Sequence, residues 1–296
     1  MSLTGGPVDA GGLIGVGAPT GSSRAPRRRV PPGEALRSTA LALVSTVVFF
    51  GVIGWIVVNS PGWAEVQSAF LDPEIFRASL PKVVEAFGQN VQLFVVAEAI
   101  ILVFGLAIAV LRSLPGPVLF PVRLIATIYA DVFRAVPGLL IIYLLGFGIP
   151  TLDLPGVPND PFFWAVVSLS LVYSAYVSEV YRAGIESIHP SQDAAARSLG
   201  LTRVQALRYV IVPQAVRRVI PPLLNDFIGL QKDTVLVSYV GVVEIFREAG
   251  ILNAANFNFT PYVAVALVFL VVTIPLARFT DWLVARDRRR AAASAR

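Results

Sequence analysis

Ser191-Gln-Asp-Ala-Ala-Ala-Arg-Ser-Leu-Gly-Leu-Thr-Arg-Val-Gln-Ala-Leu-Arg-Tyr-Val-Ile-Val-Pro213 is a polar, Ala-rich segment set between long apolar stretches. Hydrocarbon offers no partners to charged side chains, so this island has to lie outside the lipid. Pro190 follows His189 and predicts the end of the preceding helix. Ser191 reads as an N-cap, and Asp193 in the first turn complements the helix dipole. Ala194, Ala195, Ala196, Arg197, Ser198 and Leu199 continue a short helix, and Gly200 supplies a left-handed stop before Leu201. Thr202 and Gln205 have capping-box spacing and predict a second helix. Pro213 stands at the entrance to the next apolar run. The expectation is a helix, a Gly break and a helix, projecting from a membrane. Its small Ala residues let a partner's backbone approach, and Arg197 can anchor a partner carboxylate. An ordinary capped surface loop fits the same pattern taken alone.

The flanking chain sets the class. Of 296 residues, 55% are hydrophobic and 15% charged, and mean hydropathy is +0.71. Soluble domains carry about a quarter charged residues, so lipid is the solvent for most of this chain. The net charge of +5 reflects Arg in loops on one side of a membrane, with no nucleic-acid role. The absence of Cys excludes disulfides and thiol sites. A lone His189 argues against His metal sites and Ser-His-Asp catalysis.

A spanning helix needs roughly 20 apolar residues. Six stretches qualify: 38–58, 90–112, 121–147, 161–185, 212–236 and 260–284. The fifth is interrupted by Asn225, Asp226, Gln231, Lys232 and Asp233. Arg112 and Arg123 flank one loop, and Arg182, Arg197, Arg203, Arg208, Arg217 and Arg218 crowd another. Placing these in the cytoplasm, with the Arg clusters at both ends of the chain, makes six spans alternate and puts both termini inside. Residues 1–34, rich in Gly, Pro and Ser, read as a disordered basic tail. The apolar run after it is longer than a signal-peptide core and lacks a small-residue cleavage site, so it reads as a retained helix. The spans and charges divide the chain into a tail over 1–34, a transmembrane helix with an extracytoplasmic segment over 35–89, the remaining spans over 90–288 with the polar loop 186–213, and a tail over 289–296.

The polar loop resembles the E-A-A-x3-G-x9-I-x-L-P segment of ABC transporter permeases. Ala195 and Ala196 match the two Ala, Gly200 the Gly, Val210 and Val212 the Ile and Leu, and Pro213 the Pro. Ala194 occupies the Glu position. A Glu there would complete a capping box with Ser191, so its absence predicts a local cost of ~0.5–1 kcal/mol, and Ala194→Glu is expected to stabilise the helix. Tyr129-Ala-Asp-Val-Phe-Arg-Ala-Val-Pro137, Tyr176-Val-Ser-Glu-Val-Tyr-Arg-Ala-Gly184 and Lys232-Asp-Thr-Val-Leu-Val-Ser238, followed by Glu244, are similar to motifs of the polar amino acid uptake permeases, which are binding-protein-dependent type I importers. The resemblance runs from about Asn90 to Arg288. It implies an all-α integral membrane fold, with a five-helix type I importer core to which the helix at 38–58 is an extra N-terminal addition.

The resemblance further implies a permease subunit in a bacterial cytoplasmic membrane that forms the path for a polar amino acid of the glutamate, glutamine or basic class. A separate ATPase would receive 191–201, a second permease subunit would share the path, and an extracytoplasmic binding protein would deliver substrate. No phosphate-loop motif is present and the only Lys residues are Lys82 and Lys232, so ATP and Mg are expected on the partner ATPase, and this chain is expected to bind no cofactor and catalyse nothing.

Ionisable groups inside spans are expensive and read as functional candidates. Glu98 either faces the path or pairs within the bundle. Asn225, Asp226, Lys232, Asp233 and Thr234 lie on the interrupted span, where Lys232 and Asp233 are expected to form an internal ion pair. Arg134 and Pro137 fall in the first motif, and Pro137 with Gly138 marks either a kink beside the path or a packing feature. Glu179 and Arg182 are expected to orient the docking loop. A proton-coupled secondary transporter working through Glu98 is the rival function, and it has no reason to keep a docking loop.

Overall fold

The computed structural model describes residues 32–114 and 116–294, and every regular element among them is helical. The expected tail over 1–34 lies outside the described residues except for 32–34, which begin a helix. Two compact units form, one ending at Trp63 and one beginning at Ala64.

The described part of the first unit is essentially α1, Pro32–Val58. Its section Arg37–Val58 is 22 residues long, about 33 Å at 1.5 Å per residue, which matches a hydrocarbon core of about 30 Å. Leu41, Phe50, Trp55 and the other large apolar side chains stand exposed, as lipid-facing groups do.

The second unit is an all-helical bundle. Its elements are α2 (Trp63–Phe70), α3 (Pro73–Arg112), α4 (Phe120–Ala135), α5 (Gly138–Tyr143), α6 (Pro161–Glu186), α7 (Pro190–Ser198), α8 (Arg203–Ala206), α9 (Val212–Asp233), α10 (Ile245–Asn256) and α11 (Thr260–Ser294). Helix α3 begins sharply because Asp72 accepts from the N–H groups of Glu74 and Ile75 and Pro73 sits at the first position. It then runs unbroken for 40 residues, so 73–89 continue the helix that carries Glu98. Its buried stripe packs along α6, and Leu93, Ala97, Ile101, Leu169 and Val177 fill the core between them.

Among the described residues, four helices are long and apolar enough to cross a membrane, and α4 with 138–152 makes a fifth span if the bent pair is counted as one. The expected span 121–147 is thus a bent one, broken at the Pro137-Gly138 position that the sequence offered as a kink. The chain turns by 104° between α4 and α5, because Pro137 forces Val136 into an extended conformation. The expected span 212–236 also differs. Helix α9 stays continuous through Pro221, Pro222 and Asn225, and only from Thr234 does it tighten into a 3-10 segment, Thr234–Val240. Its polar residues keep it below the apolarity of the other spans.

Helix α9 meets α6 at a close crossing where Val219 lies over Gly184. A Cβ added to Gly184 overlaps Val219 Cγ1, and a β-branched side chain has little freedom to turn away. Gly184→Ala is expected to cost about 1–3 kcal/mol by overpacking, read as a lower Tm of the solubilised protein. Val219→Ala in the same chain restores most of it. Equal stability of Gly184→Ala and the parent would contradict this crossing.

Candidate docking loop and polar cleft

The loop after α6 folds as two short helices, as the sequence predicts, but its first cap moves. His189, not Ser191, is the N-cap of α7. Its Nδ1 accepts from Ser191 N–H at 3.2 Å and pairs with Ser191 Oγ at 2.8 Å. Pro190 therefore starts α7 at the first helical position rather than only ending α6. The capping argument for Ala194 falls with this: it lies five residues past the cap, where a Glu cannot reach back to the cap N–H, and Ala194→Glu loses its expected benefit.

The stop is as predicted. Gly200 has φ +85°, Gly200 N–H donates to Arg197 O at 3.0 Å and Leu201 N–H to Ala196 O at 3.3 Å, the two bonds of a Schellman end. The Thr202/Gln205 capping box is also complete, with Gln205 N–H to Thr202 Oγ1 at 3.3 Å and Thr202 N–H to Gln205 Oε1 at 2.9 Å. Ala196 and Ala206 are the buried residues of α7 and α8. Outside lie Leu199, 85% exposed, with Val204, Leu207 and Tyr209. Apolar groups clustered on a polar projection mark an interaction surface. Asp193 is half-buried, while Ser191, Gln192, Ala194, Ala195, Arg197, Ser198 and Gly200 stand exposed. The loop is tied to α9 by Arg218, whose guanidinium donates to Ser187 O, and by Gln214 Nε2 to Gln192 Oε1 at 3.4 Å.

About two turns before the loop along α6 sits a charge hub. Glu179 on α6 accepts from Arg112 of α3 at 2.7 Å, from Arg182 of its own helix, and lies 3.8 Å from Arg134 of α4. Arg182 also reaches Glu186 at 2.5 Å. A single carboxylate thus joins three helices near the loop. The sequence placed Glu179 and Arg182 together at helical spacing but gave no signal that Arg112, 67 residues earlier, is the nearest partner of the carboxylate from another helix.

A cavity of about 410 Å³ opens beside the hub, lined by Arg134, Tyr176, Glu179, Arg218, Pro222 and Asp226 among others. Of the pathway candidates, Arg134, Glu179 and Asp226 therefore share one space. Asp226 Oδ2 is enclosed without a hydrogen-bond partner, and Glu98 lies within electrostatic reach of Asp226. Toward the far end of α9, Tyr173 Oη donates to Asp233 Oδ2 at 2.7 Å. The expected Lys232–Asp233 ion pair is corrected. Neighbouring residues on a helix point about 100° apart, Lys232 is exposed, and Asp233 turns to Tyr173. Among the described residues, no Lys or Arg nitrogen comes within 4.0 Å of Glu98, Asp226 or Asp233. Asn225 and Pro137 lie apart from the 410 Å³ cavity, Asn225 lining a separate one with Pro221 and Asp281.

Residues 105–289 match the family described as binding-protein-dependent transport system inner membrane component. The chain belongs to that family. It is 36% identical over 203 residues to the probable glutamine ABC transporter permease protein GlnM of Bacillus subtilis (strain 168), covering 68% of this chain and 91% of that protein. It is 32% identical over 205 residues to the arginine transport system permease protein ArtQ of the same organism, covering 68% and 91%. The solved structure described as an amino acid ABC transporter with histidines matches at TM-score 0.64 and 32% identity, over 70% of this chain and 94% of that one.

As a member of this family, the chain is a multi-pass membrane permease with the type I fold, helical throughout the regular elements of its described residues. The family supports the permease reading over the proton-coupled carrier. The match begins inside α3, so α1 stands outside it. Sequence reasoning missed Tyr173, in the middle of the run 161–185, and Asn90, whose signal was a polar side chain at the edge of the run 90–112.

Proposed function

We propose that this chain forms the translocation path of an ATP-driven importer for a basic amino acid in a bacterial cytoplasmic membrane, with both termini and the 191–201 loop in the cytoplasm and α9 crossing as a polar span. The carrying observation is the group Glu98, Asp226 and Asp233, three half-buried carboxylates with no Lys or Arg nitrogen within 4.0 Å among the described residues, and with Asp226 Oδ2 enclosed. Buried charge calls for compensation, and a substrate with a net positive charge supplies it. A second permease subunit, identical or related, closes the path. An extracytoplasmic binding protein delivers the substrate, and a separate ATPase binds the exposed apolar face of the loop. ATP hydrolysis belongs to that partner, and this chain catalyses nothing itself.

Coupling follows from the ties between loop and bundle. Helix α7 is capped at both ends and moves as a unit. Arg218 to Ser187 and Gln214 to Gln192 hand its displacement to α9, and Arg182 hands it through Glu179 to α3 and α4. The elements facing the cleft are thus switched between two arrangements by the ATPase.

The test is uptake into proteoliposomes holding the complete transporter. Asp226→Asn is expected to lower uptake of arginine or lysine by about tenfold to a hundredfold, the worth of one charge-assisted hydrogen bond in a dry site, and to lower glutamine uptake far less. Equal losses for all three would sink the basic-substrate reading. Uptake indifferent to vanadate and abolished by collapsing the proton gradient would sink the importer reading.

A further inference from the structure

At the end of the bundle away from the docking loop, one buried side chain joins three elements. Asn90 on α3 donates from Nδ2 to Thr234 Oγ1 at 3.0 Å and to Glu244 Oε2 at 3.0 Å, and its Oδ1 accepts from Ile245 N–H at 3.1 Å. Glu244 is the N-cap of α10. Its carboxylate also accepts from Phe246 N–H at 3.0 Å and Arg247 N–H at 2.8 Å. Thr234 Oγ1 donates on to Gln231 O at 2.8 Å. Asn90 is 2% exposed, and Thr234 and Glu244 are fully buried. Every polar atom of the Asn90 amide group is thereby used.

The segment held this way is the 3-10 stretch Thr234–Val240 and the start of α10. Val237, Val240 and Val242 insert into the core cluster with Leu93, Ala97, Ile142 and Leu169, and Gly146 leaves room for Val240, which a Cβ there would approach to 2.8 Å. Asn90 stands 22 residues along α3 from Arg112, about 33 Å away at 1.5 Å per residue, which is the depth of one membrane.

We propose that Thr234–Val240 plugs the outer end of the path and that Asn90 and Glu244 are positioning residues that latch this plug shut. An apolar contact alone would seat the valines without fixing their register. A buried polar network is strong when closed and is rehydrated when open, so it specifies one closed geometry while leaving the opened state accessible. The latch also fixes the residue after Asp233, so opening it releases the end of α9 that carries this carboxylate.

The inference rests on the permease reading for the meaning of outer. Its test needs no transport. The chain has no Cys, so Val237→Cys, at a fully buried position, gives a single thiol. Intact, energy-depleted cells carrying the whole transporter are treated with a membrane-impermeant maleimide. Val237→Cys alone is expected to stay unlabelled. Adding Asn90→Ala is expected to speed labelling by about tenfold, the effect of losing one buried hydrogen-bonded partner. Thr234→Ser, which keeps the hydroxyl that accepts from Asn90, is expected to keep protection, whereas the isosteric Thr234→Val, which leaves an Asn90 N–H unpaired, is expected to lose it; Asn90→Asp sets two carboxylates face to face and is expected to lose it as well. Asn90→Ser serves the same comparison where the alanine variant fails to reach the membrane. Unchanged protection in Asn90→Ala or in Thr234→Val, labelling of Val237→Cys with Asn90 intact, or loss of protection in Thr234→Ser would each overturn the latch. Labelling as expected together with uptake indifferent to vanadate would sink the permease reading and leave the latch standing.

Discussion

Replacing Glu179 by alanine is expected to lower the unfolding free energy of the solubilised protein by about 2–3 kcal/mol and to abolish coupled uptake. Removing one partner from a buried ion pair costs about 3–5 kcal/mol, because the remaining charge stays desolvated and unpaired. The hub is partly open, with Glu179 23% and Arg112 11% exposed, so water recovers some of that cost. Without Glu179, Arg112, Arg134 and Arg182 repel one another where α3, α4 and α6 meet. Glu179→Gln keeps acceptor geometry and loses the charge, so it falls between the two. Urea or thermal unfolding of the three proteins in one detergent gives the order. Stability of Glu179→Ala within 0.5 kcal/mol of the parent would show that the arginines find other partners and that the hub holds nothing together.

Leu199→Asp is expected to leave the permease folded and inserted while weakening ATPase docking by a hundredfold or more. Leu199 is 85% exposed and contributes little to the fold. In a docked complex its burial is worth about 1.5–3 kcal/mol, and a carboxylate in its place adds the cost of burying an unpaired charge. The measurement is ATPase retained on purified permease, alongside the permease Tm. Full retention with an unchanged Tm would remove Leu199 from the docking face. Loss of retention with a fallen Tm would mean the loop supports the fold itself.

Local chemistry carried much of this into the sequence. The helical class, the apolar spans, the Gly200 stop and the Thr202/Gln205 box are set by side-chain hydropathy and by residues within four positions of one another, and each was legible there. The His189 cap was not, because its imidazole acts in place of the more usual Ser, and the pattern of Ser191 followed by Asp193 pointed two residues too late. The Lys232–Asp233 pair failed because adjacency in sequence is divergence on a helix.

Hydropathy and spacing along the chain establish that it lives in lipid, that a polar double helix interrupts it, and which of its charges are costly. Which of those charges meet is set by the packing of the helices. The packing of α4 on α6 brings Arg134 to Glu179, and the return of α10 to α3 brings Glu244 to Asn90 across 154 positions. Packing sets such pairings because a helix presents several faces and the chosen one depends on where small residues let its neighbours approach, a property of two helices together that neither segment records alone.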